Sequence, residues 1–139
     1  MNEHYCTYEQ SIKLKEFGFS GEVTGKYVDC PNDPTLFHGM LYQSWNLDDG
    51  EILAPRLDQV QAWLRDKGIH VSVNPYMSYD VDADGELYNE YPSWSFELMD
   101  VASAEFMNDA EGKHDSYESA LSAGIGKALE LLADKLNGK

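Results

Sequence analysis

The sequence predicts an α+β domain, an antiparallel sheet of about four to five strands with three helices gathered mainly on one face, in the order α-β-β-α-β-β-β-α. Three observations predict it. Ile69-His70-Val71-Ser72-Val73-Asn74 alternates apolar and polar side chains as a half-buried strand does. Leu57, Val60, Trp63 and Leu64, and again the run from Tyr117 to Leu136, recur at helical spacing. Turn chemistry at Asp82-Ala83-Asp84-Gly85 joins neighbouring strands tightly, which favours antiparallel pairing over crossover connections. The chain has 139 residues, so residues 1–139 read as a single domain. Its apolar content of 42% is enough for a core without disulfides or metals.

The first helix opens at Thr7-Tyr8-Glu9-Gln10, a capping box in which the Thr hydroxyl and the Gln amide each satisfy an orphan backbone N–H. Gly18 closes it, although Tyr8, Ile12, Leu14 and Phe17 do not share one face. Glu22–Val28 alternates as a strand, with Val23 and Tyr27 to one side. Cys30-Pro31-Asn32-Asp33-Pro34 then reads as a turn. Leu36–Ser44 is apolar on both faces and is expected to be a more central strand, ended by Asn46-Leu47-Asp48-Asp49-Gly50. The second helix spans 57–67, between Pro55 and Gly68. Strand 69–74 follows, and Met77–Val81 continues or pairs with it. Trp94, Phe96 and Leu98 alternate with Ser95 and Glu97, so 93–99 is a further strand; 102–114 carries no clear pattern. The last helix runs 116–137, with Asp115 and Glu118 as its expected capping pair, the stripe Tyr117, Leu121, Ile125, Ala128, Leu132 and Leu136, and Gly138 ending it.

Charge excludes several function classes. The net charge is −15, and residues 80–118 hold 12 acidic side chains against Lys113 alone. Such a surface repels phosphate backbones and anionic bilayers, so direct nucleic-acid and membrane binding are not expected. No apolar run reaches the roughly 18–20 residues of a membrane span. Met1–Tyr5 has neither a basic start nor an apolar stretch, so no secretory signal is read. With only Cys6 and Cys30 as thiols, both expected reduced, the cytoplasm is the expected compartment.

Two segments, Ala54-Pro55-Arg56-Leu57-Asp58-Gln59-Val60-Gln61-Ala62-Trp63-Leu64-Arg65-Asp66-Lys67-Gly68-Ile69-His70-Val71 and Tyr117-Glu118-Ser119-Ala120-Leu121 running on to Gly124-Ile125 and Ala128–Leu132, carry a resemblance. The layout, from Leu14–Phe19 to the last helix, resembles a family of small uncharacterised proteins encoded by gut bacteria and their phages and mobile elements. The resemblance implies an accessory gene product and assigns no catalytic residues.

The sharpest local motif is Asp80-Val81-Asp82-Ala83-Asp84-Gly85-Glu86-Leu87. It places oxygen ligands and a glycine as the first eight positions of a calcium loop do, which marks Asp80, Asp82, Asp84 and Glu86 as candidate Ca²⁺ ligands. Position 12, where a bidentate Glu is needed, is Tyr91, so the bland alternative is an acidic hairpin tip. His4, His38, His70 and His114 lack zinc-motif spacing and read as structural or solvated. There is no Gly-x-Ser-x-Gly elbow, Cys-x-x-Cys or phosphate loop, and Gly124-Ile125-Gly126 lies inside a helix. An enzyme would have to assemble its site from distant residues. Tyr76, Tyr79, Tyr88, Tyr91 and Trp94 surround the acidic turn. They are either sheet packing or, with Tyr79, Tyr88, Tyr91 and Glu90 as anchors, a surface for a basic protein partner. The expected function is therefore a non-enzymatic acidic binding protein, with a weak Ca²⁺ or small-ligand domain as the alternative.

Overall fold

A computed structural model describes residues 4–28, 34–43, 47–108 and 114–137. The elements are α1 (Tyr8–Glu16), β1 (Val23–Val28), β2 (Thr35–Tyr42), β3 (Glu51–Leu53), α2 (Leu57–Asp66), β4 (Ile69–Val81), β5 (Leu87–Asp100), β6 (Glu105–Asn108) and α3 (Tyr117–Leu136). The α+β class, the three helices and the alternation of helices with groups of strands stand as the sequence predicts. The single sheet of four to five strands does not. Among the described residues there are two antiparallel sheets of three strands, ordered β2-β1-β3 and β4-β5-β6. The turn around Cys30 and the C-terminal Gly138 lie outside the described residues.

The core forms on one face of the β4–β5 ladder. Ile69 and Val71 on β4 and Phe96 and Leu98 on β5 point to the same side. Onto them pack Leu57, Val60 and Leu64 of α2 and Leu121, Ile125, Ala128 and Leu129 of α3, with Leu14 of α1 joining the cluster. Burying each of these large aliphatics stabilises the fold by roughly 1.5–3 kcal/mol. The helix α3 can lie this close because Gly124 has no side chain. A Cβ there would sit 2.8 Å from Val71 Cγ1 and 3.1 Å from Phe96 Cβ. Gly25 plays the same part in the first sheet, where a Cβ would meet the Tyr5 ring at 2.7 Å and the Ala54 carbonyl at 2.9 Å.

The helix ends follow from local chemistry. The Thr7 capping box forms as expected: Gln10 N–H donates to Thr7 Oγ1 at 3.1 Å, and Thr7 N–H donates to Gln10 Oε1 at 3.0 Å. Gly18 and Gly68 take positive φ at the ends of α1 and α2. At α3 the capping residue is Ser116, whose hydroxyl accepts the Ser119 N–H at 3.0 Å, in place of the expected Asp115–Glu118 pair. The untidy stripe of α1 has a plain cause, since Ser11 and Leu14 are its buried residues. Both ends of the α3 stripe, Tyr117 and Leu136, are exposed.

The strand 35–42 is an edge strand, not a central one; β1 is the centre of its sheet. Phe37, Met40 and Leu41 are exposed on β2, and its register against β1 shifts between Val23 and Gly25. Beyond β5, a turn holds Ala104 at positive φ and returns the chain as β6 against 97–100. Asp100 anchors that turn. It accepts hydrogen bonds from Lys135 Nζ at 2.8 Å, Ser103 Oγ at 3.0 Å and Ala102 N–H at 3.3 Å. The Lys135 ammonium, with Ser103 and Ala102 helping, holds its carboxyl below the ordinary aspartate range.

Candidate functional site

β4 and β5 are far longer than the core needs. A strand of 13 residues spans about 43 Å at ~3.3 Å per residue. The helices cover only its base, and residues 81–90 are all exposed. From Tyr76 to Pro92 the pair forms a two-stranded arm. Met77–Val81 continues β4 through Pro75, and β5 begins at Leu87, six residues before the predicted strand start.

The tip is built by Asp82. Its Oδ1 accepts the N–H groups of Asp84 and Glu86, both at 2.9 Å, while its own N–H donates to the Glu86 carbonyl at 3.0 Å. Gly85 N–H closes the turn onto the Asp82 carbonyl, and Gly85 takes the positive φ of 82° that this turn requires. Behind the tip the register shifts between Ser78 and Asp80, because Asn89 and Glu90 both oppose Tyr79. Asn89 absorbs the bulge at φ 52° and ties it down by donating to Asp80 Oδ2 at 2.8 Å. Among the described residues, no group of three or more His, Cys, Asp or Glu side chains is placed to hold a metal ion. Of the four candidate ligands, Asp80 and Asp82 are engaged in these tip hydrogen bonds.

The bulge and the strand pleat sort the aromatic residues. One face, continuous with the core face, carries Met77, Tyr79, Val81 and Leu87. The other carries Tyr76, Tyr88 and Tyr91 around a buried Ser78–Ser93 hydrogen bond of 2.8 Å. Tyr76 opposes Ser93 and Tyr91 opposes Ser78, so large and small side chains alternate and the rings shield the hydroxyls. The arm thus brings Tyr88 and Tyr91 together on one face, puts Tyr79 on the other and leaves Glu90 in the bulge. Exposure is 46% at Met77, 41% at Tyr79, 60% at Val81, 63% at Leu87 and 52% at Tyr88. Trp94 does not belong to this surface. It bridges His114 through two 3.0 Å backbone hydrogen bonds and packs edge-on to Tyr117 at 5.8 Å. Sequence reasoning missed Met77, Val81 and Leu87; continuing the inward alternation of 69–73 past Pro75 was the signal that could have found them.

The arm carries one sign of charge. Asp80, Asp82, Asp84, Glu86 and Glu90 lie on it, and no Lys or Arg occurs between Lys67 and Lys113.

An open groove of about 500 Å³ lies between the starts of α1 and α3, lined by Tyr5, Gln10, His114, Glu118 and Ser122 among others. Its polar groups are largely committed to structure. Thr7 and Gln10 cap α1, Gln10 Nε2 donates to the Ser122 carbonyl at 2.8 Å, Ser116 caps α3, and His4 lies 3.8 Å from Glu118. Cys6 is fully buried, and burial pushes its thiol far up, which makes it an inert core residue. Cys30 lies outside the described residues, and a Cys6–Cys30 bridge with it. No helix among the described residues is long and apolar enough to cross a membrane. No family model, curated protein or solved structure matches the chain.

Proposed function

We propose that the protein is a non-enzymatic binding protein that engages a basic protein partner through the β4–β5 arm. One observation carries the reading: a projecting ribbon exposes six large apolar or aromatic side chains, Tyr76, Met77, Tyr79, Val81, Leu87 and Tyr88, amid five carboxylates and no cation. Monomeric surfaces rarely leave such apolar area open without a use, and aromatic anchors rimmed by charge are typical of interfaces. The carboxylates would speed encounter with a basic partner, and the apolar groups would supply the affinity. The resemblance to proteins of phages and mobile elements favours an accessory role, acting in the cytoplasm. Pull-down from host lysate tests this with wild type and a variant carrying Asp80→Asn, Asp82→Asn and Asp84→Asn. Basic proteins should be captured by wild type, lost in the variant and released near ~0.5 M salt, where screening lengths fall to a few ångströms. Equal capture by both proteins would count against the arm.

A second reading uses the tip alone. Asp80, Asp82, Asp84 and Glu86 follow one another along the tip in the sequence order of a calcium loop. As folded they are not grouped around a common point, so weak Ca²⁺ binding would require Asp80 and Asp82 to give up hydrogen bonds and the tip to rearrange. A melting temperature that does not move in millimolar Ca²⁺ would end this reading.

A further inference from the structure

The two edges of the arm are not equivalent, and the difference identifies how a partner would sit. Trp94 exchanges both backbone hydrogen bonds with His114, on the side of β5 away from β4. Its opposite residue, Pro75, therefore points its own backbone away from β5, to the outer edge of β4. Two contacts fix the same parity. The Val71 carbonyl reaches outward to Gln61 Nε2 at 2.8 Å, whereas Asp82 N–H points inward to Glu86. Odd-numbered residues of β4 thus present their N–H and C=O groups outward. Near the helices this edge is closed, by Gln61 at Val71 and by the missing N–H of Pro75. From Met77 to Val81 no strand or hydrogen bond among the described residues covers it, with the backbone groups of Met77, Tyr79 and Val81 facing outward, and β4 is an outer strand of its sheet. The β5 edge is blunted along the same stretch by Pro92 and by the Asn89–Glu90 bulge, two devices that discourage strand pairing.

We propose that the partner adds a strand to the open edge of β4 at residues 77–81; this rests on the arm being the docking surface. Strand addition supplies affinity through main-chain hydrogen bonds and specificity through alternate side chains. The partner's pattern follows from the faces. Residues on the Met77, Tyr79 and Val81 side would be apolar. Those on the Ser78 and Asp80 side would be Lys or Arg, reaching Asp80 and the tip carboxylates. A second copy of this chain is disfavoured as the occupant, because pairing two such edges would bring Asp80, Asp82 and Asp84 of both copies together without a cation.

The probe is a blocked peptide alternating Lys and Val over seven residues, beside the same peptide N-methylated along its backbone, both at low salt. The unmodified peptide should bind at least tenfold more tightly and slow hydrogen exchange at the amides of Met77, Tyr79 and Val81. Tyr79→Pro, which removes one outward donor and spares the β4–β5 ladder, should weaken binding more than Tyr79→Ala. Equal binding of the two peptides with unchanged amide exchange would overturn strand addition and leave the arm reading standing. Failure of both peptides to bind would overturn the arm reading and this inference with it.

Discussion

Replacing Gly124 by Ala tests the packing on which the arm is rooted. In an exposed helix the change would stabilise by about 0.5–1 kcal/mol, since Gly is the poorer helix former. Here the new methyl would lie 2.8 Å from Val71 Cγ1 and 3.1 Å from two atoms of Phe96. Val71 is β-branched and buried, so it has no free rotamer to retreat into. Overpacking of this kind costs about 1–3 kcal/mol, which outweighs the propensity gain. Gly126 lies two residues along the same helix and provides the control. A Cβ there would meet only Gln10 Nε2, at an ordinary 3.4 Å. Gly126→Ala should therefore stabilise by the propensity term alone, and subtracting the two variants isolates the clash at about 1–3 kcal/mol. Urea unfolding measures both, read as a midpoint shift at constant slope. Adding Val71→Ala to Gly124→Ala should cost less than Val71→Ala does in wild type, because the residues touch. If Gly124→Ala were as stable as Gly126→Ala, the close approach of α3 to the β4–β5 face would be wrong.

Other expectations are simpler. Asp100 has its carboxyl depressed by Lys135, so its stabilising contribution is complete above the unfolded value of about 3.9 and is lost as pH falls through the lower folded value. Asp100→Asn should be less stable than wild type at pH 7, with the gap closing below about pH 4. The Tyr27 hydroxyl donates to the Cys6 carbonyl at 2.7 Å within the core, so Tyr27→Phe should cost about 1 kcal/mol in urea. Val81→Thr and Leu87→Thr alter exposed arm residues and should leave stability within about 0.5 kcal/mol while weakening peptide capture. Loss of the fold in either variant would show that the arm is part of the core.

How much was legible depended on whether the deciding interaction was local. The stripes of α2 and α3, the Thr7 box and the Asp82–Gly85 turn are written in neighbouring residues, and the structure has them. The run Leu36–Tyr42 is apolar on both faces whether it is buried twice or exposed twice, so its edge position could not be read. Glu51–Leu53 and Glu105–Asn108 are too short to show a period; pairing with β1 and β5 makes them strands. The division into two sheets depends on β3 returning to β1 before α2 begins, a nonlocal choice. At the site, the tyrosine cluster was visible but its faces were not. Tyr76, Tyr79 and Tyr91 follow the plain alternation of their strands, but the face of Tyr88 turns on the single extra residue at Asn89–Glu90, which shifts the register of β5 beyond it.

The arm also has an energetic logic. Isolated two-stranded ribbons are marginal in water, because ordering each residue costs about 1–2 kcal/mol of backbone entropy. This one is rooted at Ile69–Val73 and Phe96–Asp100, where the helices clamp it, and pinned outward by Ser78–Ser93, Asn89–Asp80 and the Asp82 turn. Those contacts order it without burying Met77, Val81 or Leu87. The apolar area left open is worth about 25 cal/mol per Å² to whatever covers it. Carboxylates at the same end would repel a second copy of the chain, a usual way of keeping an exposed strand edge from pairing with itself. Because that repulsion is electrostatic, it bars acidic surfaces and attracts basic ones. If the arm docks a basic partner as proposed, the residues that oppose self-pairing are also those that select the partner, so neutralising Asp80, Asp82 and Asp84 should release self-association as it abolishes capture. Sedimentation of the triple Asn variant at rising concentration measures this, and a variant that stayed monomeric at low salt would separate the two roles.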